Sequence, residues 1–432
     1  MDAARARRGH HRNDAARVAI RFPVSSDPLA ALRGARARTL AAFGDLPDDI
    51  LATWPDPEFS PLCWHLGHIA FTEAHWLLRH VGGDGSLSVP YADRFAQDGR
   101  DKSERNVGYD RGELFGYLEE VRSAVAARYA DLDGAHPLMA AHYLAGFLAD
   151  HENQHRETMA YVLGCVRDAQ APAELPPAPL LQDEGPPPRV EVTGGNVVVG
   201  TDAPSAYDNE RPAHAIGVAP FALDGHPVTA AAWQRFVRAG GYAREELWTP
   251  AGWAWREAQG ITLPKGWRPA GDSHTRVRLD GTFALDGREP VCGISAHEAD
   301  AYARFAGARL PTEHELEAAA REARPRIVGL GTTGPAPVVR ADDHPTDLLG
   351  NVWEWTASAF VPYPGFRPHP YRGYSEPYFD GRHRVLRGGS FATDPAIARP
   401  TFRNWYVPET RQIFAGLRLA HDLENVGQNA SP

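Results

Sequence analysis

The sequence predicts a two-domain protein: an all-α four-helix bundle followed by an α+β domain with little regular secondary structure. Residues 29–165 contain four stretches whose apolar side chains recur at helical spacing. Residues 169–188 are dominated by Pro, Ala and Glu, a composition typical of a linker. Beyond them Gly and Trp become frequent, and turns outnumber long periodic stretches. The length of 432 residues also exceeds what one ordinary hydrophobic core organises.

The individual elements follow from the same patterns, taken in chain order. We predict helices over residues 29–43, 62–80, 113–129 and 137–165, with a proline-rich loop at 45–61 and a Gly-, Asp- and Arg-rich loop at 82–108. The second domain begins with strands at 190–192 and 196–200, and its clearest helices lie at 230–239 and 295–306. The predicted domains are 28–168 and 189–424, with a disordered leader at 1–27 and a tail at 425–432.

Charge and composition exclude several classes of function. A formal net charge of −10 argues against a nucleic-acid partner, because phosphate binding needs a basic face. Three separated cysteines form no disulfide framework, which suits a reducing cytoplasm. The chain has no apolar run of about 18 residues, so no membrane span is expected. The Arg- and Ala-rich start lacks the apolar centre of a signal peptide.

His151 and His155 are the strongest indication of chemistry in the first domain. They lie four residues apart within the fourth predicted helix, so their side chains project from one face. Two neutral imidazoles at that spacing can bind one metal ion. The pair also fits the zinc-protease pattern His-Glu-x-x-His, but a metzincin would need Gly and His where this chain has Thr158 and Tyr161. A structural reading, with both histidines on an exposed helix face, is the other alternative.

The second predicted helix offers the third ligand. It carries His65 and His68, which are three residues apart and point in a similar direction. The residues alone do not choose between them. Three neutral imidazoles with open positions suit either iron(II) oxygen chemistry or zinc-bound water.

The chain resembles the iron-dependent sulfoxide synthases of ergothioneine biosynthesis, over nearly everything from residue 29 to residue 422. In that family a DinB-like bundle precedes a domain of the formylglycine-generating-enzyme type, which is C-type-lectin-like. The family's Ser-Pro-x-x-Trp-x-Leu-x-His segment is found at residues 60–68, and its His-x-x-x-His-x-Glu segment at 151–157. The resemblance therefore implies His68, His151 and His155 as ligands of Fe(II), with O2 as co-substrate.

The second domain carries the more specific motifs. Gly-Asn-Val-Trp-Glu-Trp-Thr at 350–356 and Arg-Gly-Gly-Ser-Phe at 387–391 are typical of the whole formylglycine-type fold, supported by 208–212 and 309–313. Formylglycine generators use two cysteines shortly after the Arg-Gly-Gly-Ser run. This chain has Thr393 and Ala398 near those places and no cysteine beyond Cys292, which argues against that activity.

The segments at 362–375 and 402–416 resemble the synthases in particular. By that resemblance Tyr371 is the catalytic tyrosine, a proton donor. Gln154, Tyr374 and Asn404 would hold hercynine, the N-α-trimethylated histidine. A trimethylammonium group binds best against aromatic faces. The candidate aromatic residues for that contact are Trp405, Trp353 and Tyr378.

Two differences from the family's γ-glutamylcysteine branch leave the identity of the thiol donor open. The branch that uses γ-glutamylcysteine has Asp after Arg-Asn-Trp, where this chain has Tyr406. That branch also has two arginines three apart, where this chain has Arg100, Lys102 and Arg105 at another spacing; lysine is not a bidentate carboxylate clamp. The donor is γ-glutamylcysteine, cysteine or another thiol. A selenoneine synthase, which joins a selenosugar to hercynine, is the alternative, and a zinc hydrolase or a non-catalytic binding protein is less favoured.

Overall fold

The computed structural model describes residues 27–97, 102–105, 108–172, 177–182, 184–323, 325, 327–329 and 331–423. The predicted leader up to residue 26, the tail at 425–432 and Arg100 lie outside the described residues. No helix of the described part combines the length and the apolar character that crossing a bilayer requires.

The first domain is helical, as predicted. Its α-helices are α1 (Ala30–Phe43), α2 (Asp48–Ala52), α3 (Leu62–Glu73), α4 (Ala92–Phe95), α5 (Arg111–Arg128) and α6 (Tyr143–Gln170). α3 continues into a π-helix over Ala74–Val81, and 3₁₀ turns cover Val89–Tyr91, Lys102–Arg105, Tyr129–Asp131 and Pro137–His142. The loop predicted at 45–61 therefore contains the short helix α2, and the loop predicted at 82–108 contains α4 and two of these turns.

The four long helices pack around a buried ion cluster. Arg36 on α1 donates from Nε to Glu152 on α6 at 2.9 Å, and Arg122 on α5 donates to Glu73 on α3 at 2.8 Å. Buried charges are tolerated only when they are paired and hydrogen-bonded. Two arginines facing two glutamates satisfy that condition, and they fix how the four helices face one another.

The predicted bounds of the fourth helix, 137–165, are wrong at both ends. The prediction begins it at residue 137, but Pro137–His142 form a 3₁₀ turn in which Ala141 and His142 have φ of 50° and 57°. Left-handed backbone at two successive residues ends one helical run before the next begins. α6 then starts at Tyr143 and continues to Gln170, into the stretch predicted as linker.

The second domain has many short strands, as predicted for an α+β domain with little regular structure. Its strands are β1 (Arg189–Val192), β2 (Gly195–Val199), β3 (His214–Val218), β4 (Phe221–Asp224), β5 (Trp267–Ala270), β6 (Ser273–Arg278), β7 (Gly281–Ala284), β8 (Ile327–Val328), β9 (Leu349–Gly350), β10 (Trp353–Ala359), β11 (Arg384–Arg387), β12 (Asn404–Tyr406), β13 (Ala415–Gly416) and β14 (Ala420–Asp422). Its α-helices are α7 (Ala230–Arg238), α8 (Pro250–Gln259), α9 (Ala296–Phe305) and α10 (Glu313–Ala323). Of these helices, α8 and α10 are not predicted from the sequence.

The four-stranded sheet places the residues that matter most for the site. Its strand order is β12-β11-β10-β13, with β10, β11 and β12 antiparallel and β13 parallel to β10. Trp405 on β12 pairs with Val385 on β11. The formylglycine-type motifs lie mostly on and around this sheet, so they order the strand that carries Asn404, Trp405 and Tyr406.

Those motifs are joined by buried ion pairs. Glu313 accepts from Arg387 at 2.7 Å and from Arg403 at 2.8 Å, and Arg418 donates to Glu354 at 2.9 Å. The two arginines hold the pKa of Glu313 near 2 against its burial, which acts in the opposite direction. These arginines and glutamates are therefore structural.

Candidate active site

Three histidines converge where α3 faces α6. His68 comes from α3, and His151 and His155 come from successive turns of α6. One nitrogen atom of each lies within 4.8 Å of the others. The ring centroids are 4.4 Å apart for the α6 pair and 4.8 Å apart for His68 and His155. This separation allows all three imidazoles to bind one ion.

The orientation of His68 follows from the close approach of Phe95. Nδ1 of His68 lies 2.7 Å from the Phe95 carbonyl oxygen, so Nδ1 carries the proton and Nε2 is left with a lone pair. The neighbouring Gly67 makes room for Phe95, because a Cβ at that position would lie 2.1 Å from the Phe95 ring. Gly67 and the Phe95 carbonyl therefore together set the position and the tautomer of the proposed ligand His68.

Burial keeps the three imidazoles neutral. It lowers the pKa of His68 to about 4, and it lowers the pKa of His151 and His155 well below the usual value, with the neighbouring histidines adding to the shift. A neutral imidazole is the form that binds metal. The donor set is three nitrogens, which fits a divalent first-row metal such as iron or zinc.

His65 directly contacts the three-histidine group, and the sequence did not predict this contact. Its Nδ1 lies 2.9 Å from Nδ1 of His155. It is 4% exposed, and burial lowers its pKa to about 3, with the Ser60 carbonyl opposing that shift. His65, which spacing alone left open as a third ligand, is buried against the proposed ligand His155. Its spacing from His68 was the available signal.

Gln154 connects α6 to the second domain. It lies between His151 and His155 in the chain, and its Nε2 donates to the Tyr207 hydroxyl at 2.5 Å. Tyr374 donates its hydroxyl to Gln154 Oε1 at 3.1 Å. Tyr374 and Tyr207 also stack with centroids 4.7 Å apart. Two residues predicted to share one substrate, Gln154 and Tyr374, are therefore in contact.

The segment that carries Tyr374 is held by the 208–212 motif. Ser375 donates to Asp208 at 2.5 Å and accepts from Asn209 at 2.9 Å, and the His369 N–H donates to the other oxygen of Asp208 at 3.3 Å. Asp208 thus spans both ends of residues 369–375. We name residues 369–375 the tyrosine loop, because it also contains Tyr371.

Tyr371 occupies a different position from Tyr374. Its side chain is 37% exposed, and its ring lies 5.5 Å from Trp76 at the start of the π-helix. Tyr374 is enclosed, and burial raises its pKa well above the usual value. The two tyrosines therefore face different surroundings on one loop.

A cleft of about 270 Å³ lies beside His155 and Gln154. The predicted substrate residues that line it are Lys102, Arg105, Gln154, Asn404, Trp405 and Tyr406, whereas Tyr374 is not among the lining residues. Trp405 stacks on Phe360 at 4.4 Å and faces Tyr378 at 5.4 Å, which gives the cleft an aromatic wall. Trp353, considered for the same wall, is not among the lining residues; it is buried and donates to Glu157.

Glu157 fastens the second domain to α6, two residues after His155. Its carboxylate accepts from Ser390 at 2.5 Å, from Trp353 at 2.8 Å and from Thr393 at 2.8 Å. Thr393 lies near one of the places where formylglycine generators, by the resemblance, carry a cysteine. Here the side chain is a hydrogen-bond donor at the domain junction.

Comparisons with known proteins agree with this architecture. The DinB superfamily model matches residues 31–159, and the sulfatase-modifying factor enzyme 1-like domain model matches residues 178–329 and 344–423. The fold and the site therefore define an enzyme that joins a DinB-type bundle to a sulfatase-modifying-factor-type domain.

Similar known proteins show to which family within this class of enzymes the chain belongs. A hercynine oxygenase of Mycobacterium tuberculosis is 39% identical, over 93% of this chain and 100% of the relative. One from Mycolicibacterium smegmatis is 37% identical, over 90% of this chain and 97% of the relative. The chain belongs to the hercynine oxygenase family, and it is an oxygenase. The ergothioneine biosynthesis protein 1 of Schizosaccharomyces pombe is 29% identical over 50% of this chain and 27% of that protein.

Proposed function

We propose that this protein is an iron(II)- and O2-dependent sulfoxide synthase that joins a thiol to imidazole C2 of hercynine, in ergothioneine biosynthesis. The observation that carries the proposal is the neutral three-histidine group beside a cleft whose aromatic wall comes from the second domain. His68, His151 and His155 would hold the iron, which supplies O2 activation when bound. We also propose the cytoplasm as its location, from the three separated cysteines.

The proposed reaction balances without a further reductant. The C2–H bond of hercynine and the S–H bond of the thiol break, and one C–S bond and one S–O bond form. O2 accepts four electrons; one oxygen atom goes to the sulfoxide and the other leaves as water with the two protons. The protein therefore has to hold two substrates in line and to supply or accept protons at the right atoms.

The binding of hercynine is assigned to Gln154, Tyr374 and Asn404. An amide carries both a donor and an acceptor, so Gln154 and Asn404 can face an imidazole or a carboxylate. The trimethylammonium group would lie against the faces of Trp405 and Tyr378, since a quaternary cation is attracted by aromatic faces and forms no strong hydrogen bonds. Tyr371 would supply the proton, because a phenolic hydroxyl is a proton donor.

The thiol donor is assigned to the basic side of the cleft. Arg105 is nearly buried, with its guanidinium 4.6 Å from the Trp64 ring, and Lys102 lies 3.7 Å from Glu58. These cations suit a thiol that carries a carboxylate, such as cysteine or γ-glutamylcysteine. Tyr406 lines the same cleft and brings no negative charge for the donor's amino group. We therefore expect a donor preference that differs from the branch with Asp at this position.

The proposal is tested by anaerobic loading with iron(II), followed by O2, hercynine and a panel of thiols and a selenosugar, with products identified by mass spectrometry. The expected product is a hercynine sulfoxide whose mass carries one atom from ¹⁸O2. A protein that binds iron and yields no hercynine adduct with any donor would contradict the proposal. A selenosugar adduct alone would move the assignment to a selenoneine synthase.

Matched phenylalanine variants separate the two tyrosines. We expect Tyr371→Phe to leave folding and iron binding intact and to shift the product from the sulfoxide towards the sulfinic acid of the thiol. Tyr374→Phe should instead raise KM for hercynine, because Tyr374 bonds to Gln154. If Tyr371→Phe keeps the parent's product ratio and rate, Tyr371 is not the proton donor.

A further inference from the structure

His65 and His155 share a hydrogen bond between identical atoms, Nδ1 to Nδ1 at 2.9 Å. Two neutral imidazoles form such a bond only when one Nδ1 carries a proton and the other does not, since two lone pairs or two N–H groups repel each other. Each neutral ring has one proton. The position of the proton at this contact therefore decides the state of Nε2 on both rings.

The two possible arrangements differ in whether His155 can bind a metal. If His65 Nδ1 donates, His155 carries its own proton on Nε2 and has no free lone pair. If His155 Nδ1 donates, its Nε2 is bare and His65 carries its proton on Nε2. Only the second arrangement gives His155 a ligand atom for the three-histidine group.

We propose that His65 is the positioning residue that selects the metal-binding tautomer of His155, by accepting its Nδ1–H. This inference rests on the metal site of the proposed function and adds a partner to it. A ligating histidine commonly donates its other N–H to an acceptor, which fixes the ring and raises its basicity. The Phe95 carbonyl serves His68 in this way at 2.7 Å.

The surroundings of His65 suit a neutral acceptor. The ring is 4% exposed and stands edge-on to Trp64, with centroids 5.3 Å apart and planes at 81°. The cations Arg105 and Lys102 line the same cleft, which disfavours a further positive charge on His65. An imidazole acceptor therefore orients His155 without adding charge to the ligand set.

Metal affinity provides the first test. We expect His65→Leu to raise the Kd for zinc(II) and for iron(II) about 10–100-fold, the usual loss when an outer partner of a ligand is removed. His65→Asn should restore most of the affinity, because its side-chain carbonyl can accept from His155 near the former Nδ1 position. His75→Leu, on the same helical run but outside the three-histidine group, is the matched control and should leave the Kd unchanged.

The tautomers provide a second test that a structural role would not affect. In the zinc(II)-loaded protein with ¹⁵N-labelled histidine, we expect His155 to be protonated on Nδ1 and His65 on Nε2. A loaded protein in which His65 carries its proton on Nδ1 would overturn the inference. So would a folded His65→Leu variant with the parent's Kd. If that variant does not fold, His65→Asn and the parent spectrum still decide the question.

These measurements need no turnover, so the two proposals can fail separately. An inactive protein with the expected tautomers and affinities would count against the sulfoxide synthase and leave the role of His65 standing. An active enzyme in which His65→Leu binds metal normally would remove only the role of His65.

Discussion

The two sides of the proposed active site, one in the bundle and one in the second domain, are built in different ways. On the metal side, His151 and His155 are one turn apart on α6, and the His68 ring is held by a backbone carbonyl. On the other side, Tyr374 sits on an irregular loop whose position depends on the side chains of Asp208, Asn209 and Ser375. Regular helix thus holds the proposed ligands, and side-chain hydrogen bonds hold the loop of the proposed substrate residue Tyr374. We expect the two sides to respond to substitution separately.

The largest effect is expected on the metal side. His151→Ala removes one of three ligands, so the Kd for iron(II) should rise by more than the roughly 100-fold that loss of an outer partner causes. An anaerobic titration against a competing chelator measures it. His80→Ala, at an exposed histidine of the π-helix that continues α3, should leave the Kd unchanged. If His151→Ala kept the parent's affinity for iron(II), the expectation that the two sides respond separately would be wrong.

Gln154→Leu should have a smaller effect of the opposite kind: it should change KM for hercynine and leave the iron(II) Kd nearly unchanged. The substitution keeps the volume but leaves the hydroxyls of Tyr374 and Tyr207 without their partner, which costs roughly 1–3 kcal/mol for each buried group left unpaired. KM for hercynine should rise by about tenfold, while the iron(II) Kd stays within about twofold of the parent. Steady-state kinetics and the chelator titration check the two halves. Gln170→Leu, at the exposed end of α6, is the control.

The smallest effect is a pH dependence set by the tyrosine loop. Burial raises the pKa of Asp208 to about 6, so below that pH the carboxyl is protonated and no longer accepts with both oxygens. kcat/KM should fall a few-fold as the pH falls through about 6. Asp208→Asn should show the low-pH level at every pH, and Asp202→Asn, an exposed neighbour, should keep the parent's profile.

Stability should respond to Asp208 with the opposite sign. Its folded-state pKa of about 6 lies above the unfolded value of 3.8, so between those values the folded protein binds more protons than the unfolded chain. The contribution of Asp208 to the free energy of unfolding is therefore largest below pH 3.8 and is lost as the pH rises through 6. Denaturant titrations of the parent and of Asp208→Asn at pH 5 and pH 7 measure the difference. If kcat/KM instead fell as the pH rises, in parallel with this stabilising contribution, loosening of the tyrosine loop could not be the cause of the pH dependence.

Local spacing accounts for the features that the sequence predicted. The four apolar periodic stretches predict the bundle, and the interval of four places His151 and His155 on one helix face. The composition change at 169–188 predicts a linker between the domains, and α6 extends two residues into that stretch. The break at Ala141 and His142 was missed because nothing in their residue types requires left-handed backbone.

The features that the sequence did not predict depend on distant partners. His65 and His68 look equivalent on one helix, and only the approach of Phe95 and His155 distinguishes them. The contact between Asp208 and Ser375 spans 167 positions of the chain. α10 was missed because its buried glutamates, which pair with arginines of β11 and of the residue before β12, hide its apolar face.

Glu157 makes the bundle and the second domain one cooperative unit. Trp353, Ser390 and Thr393 all belong to the second domain, so separating the domains would break three hydrogen bonds to one carboxylate. Because Glu157 follows His155 by two residues, the helix that carries two of the three proposed ligands also contacts the second domain. A chimaera that replaced the second domain would have to preserve a Trp, a Ser and a Thr at these three places before it could keep its metal-binding helix in register.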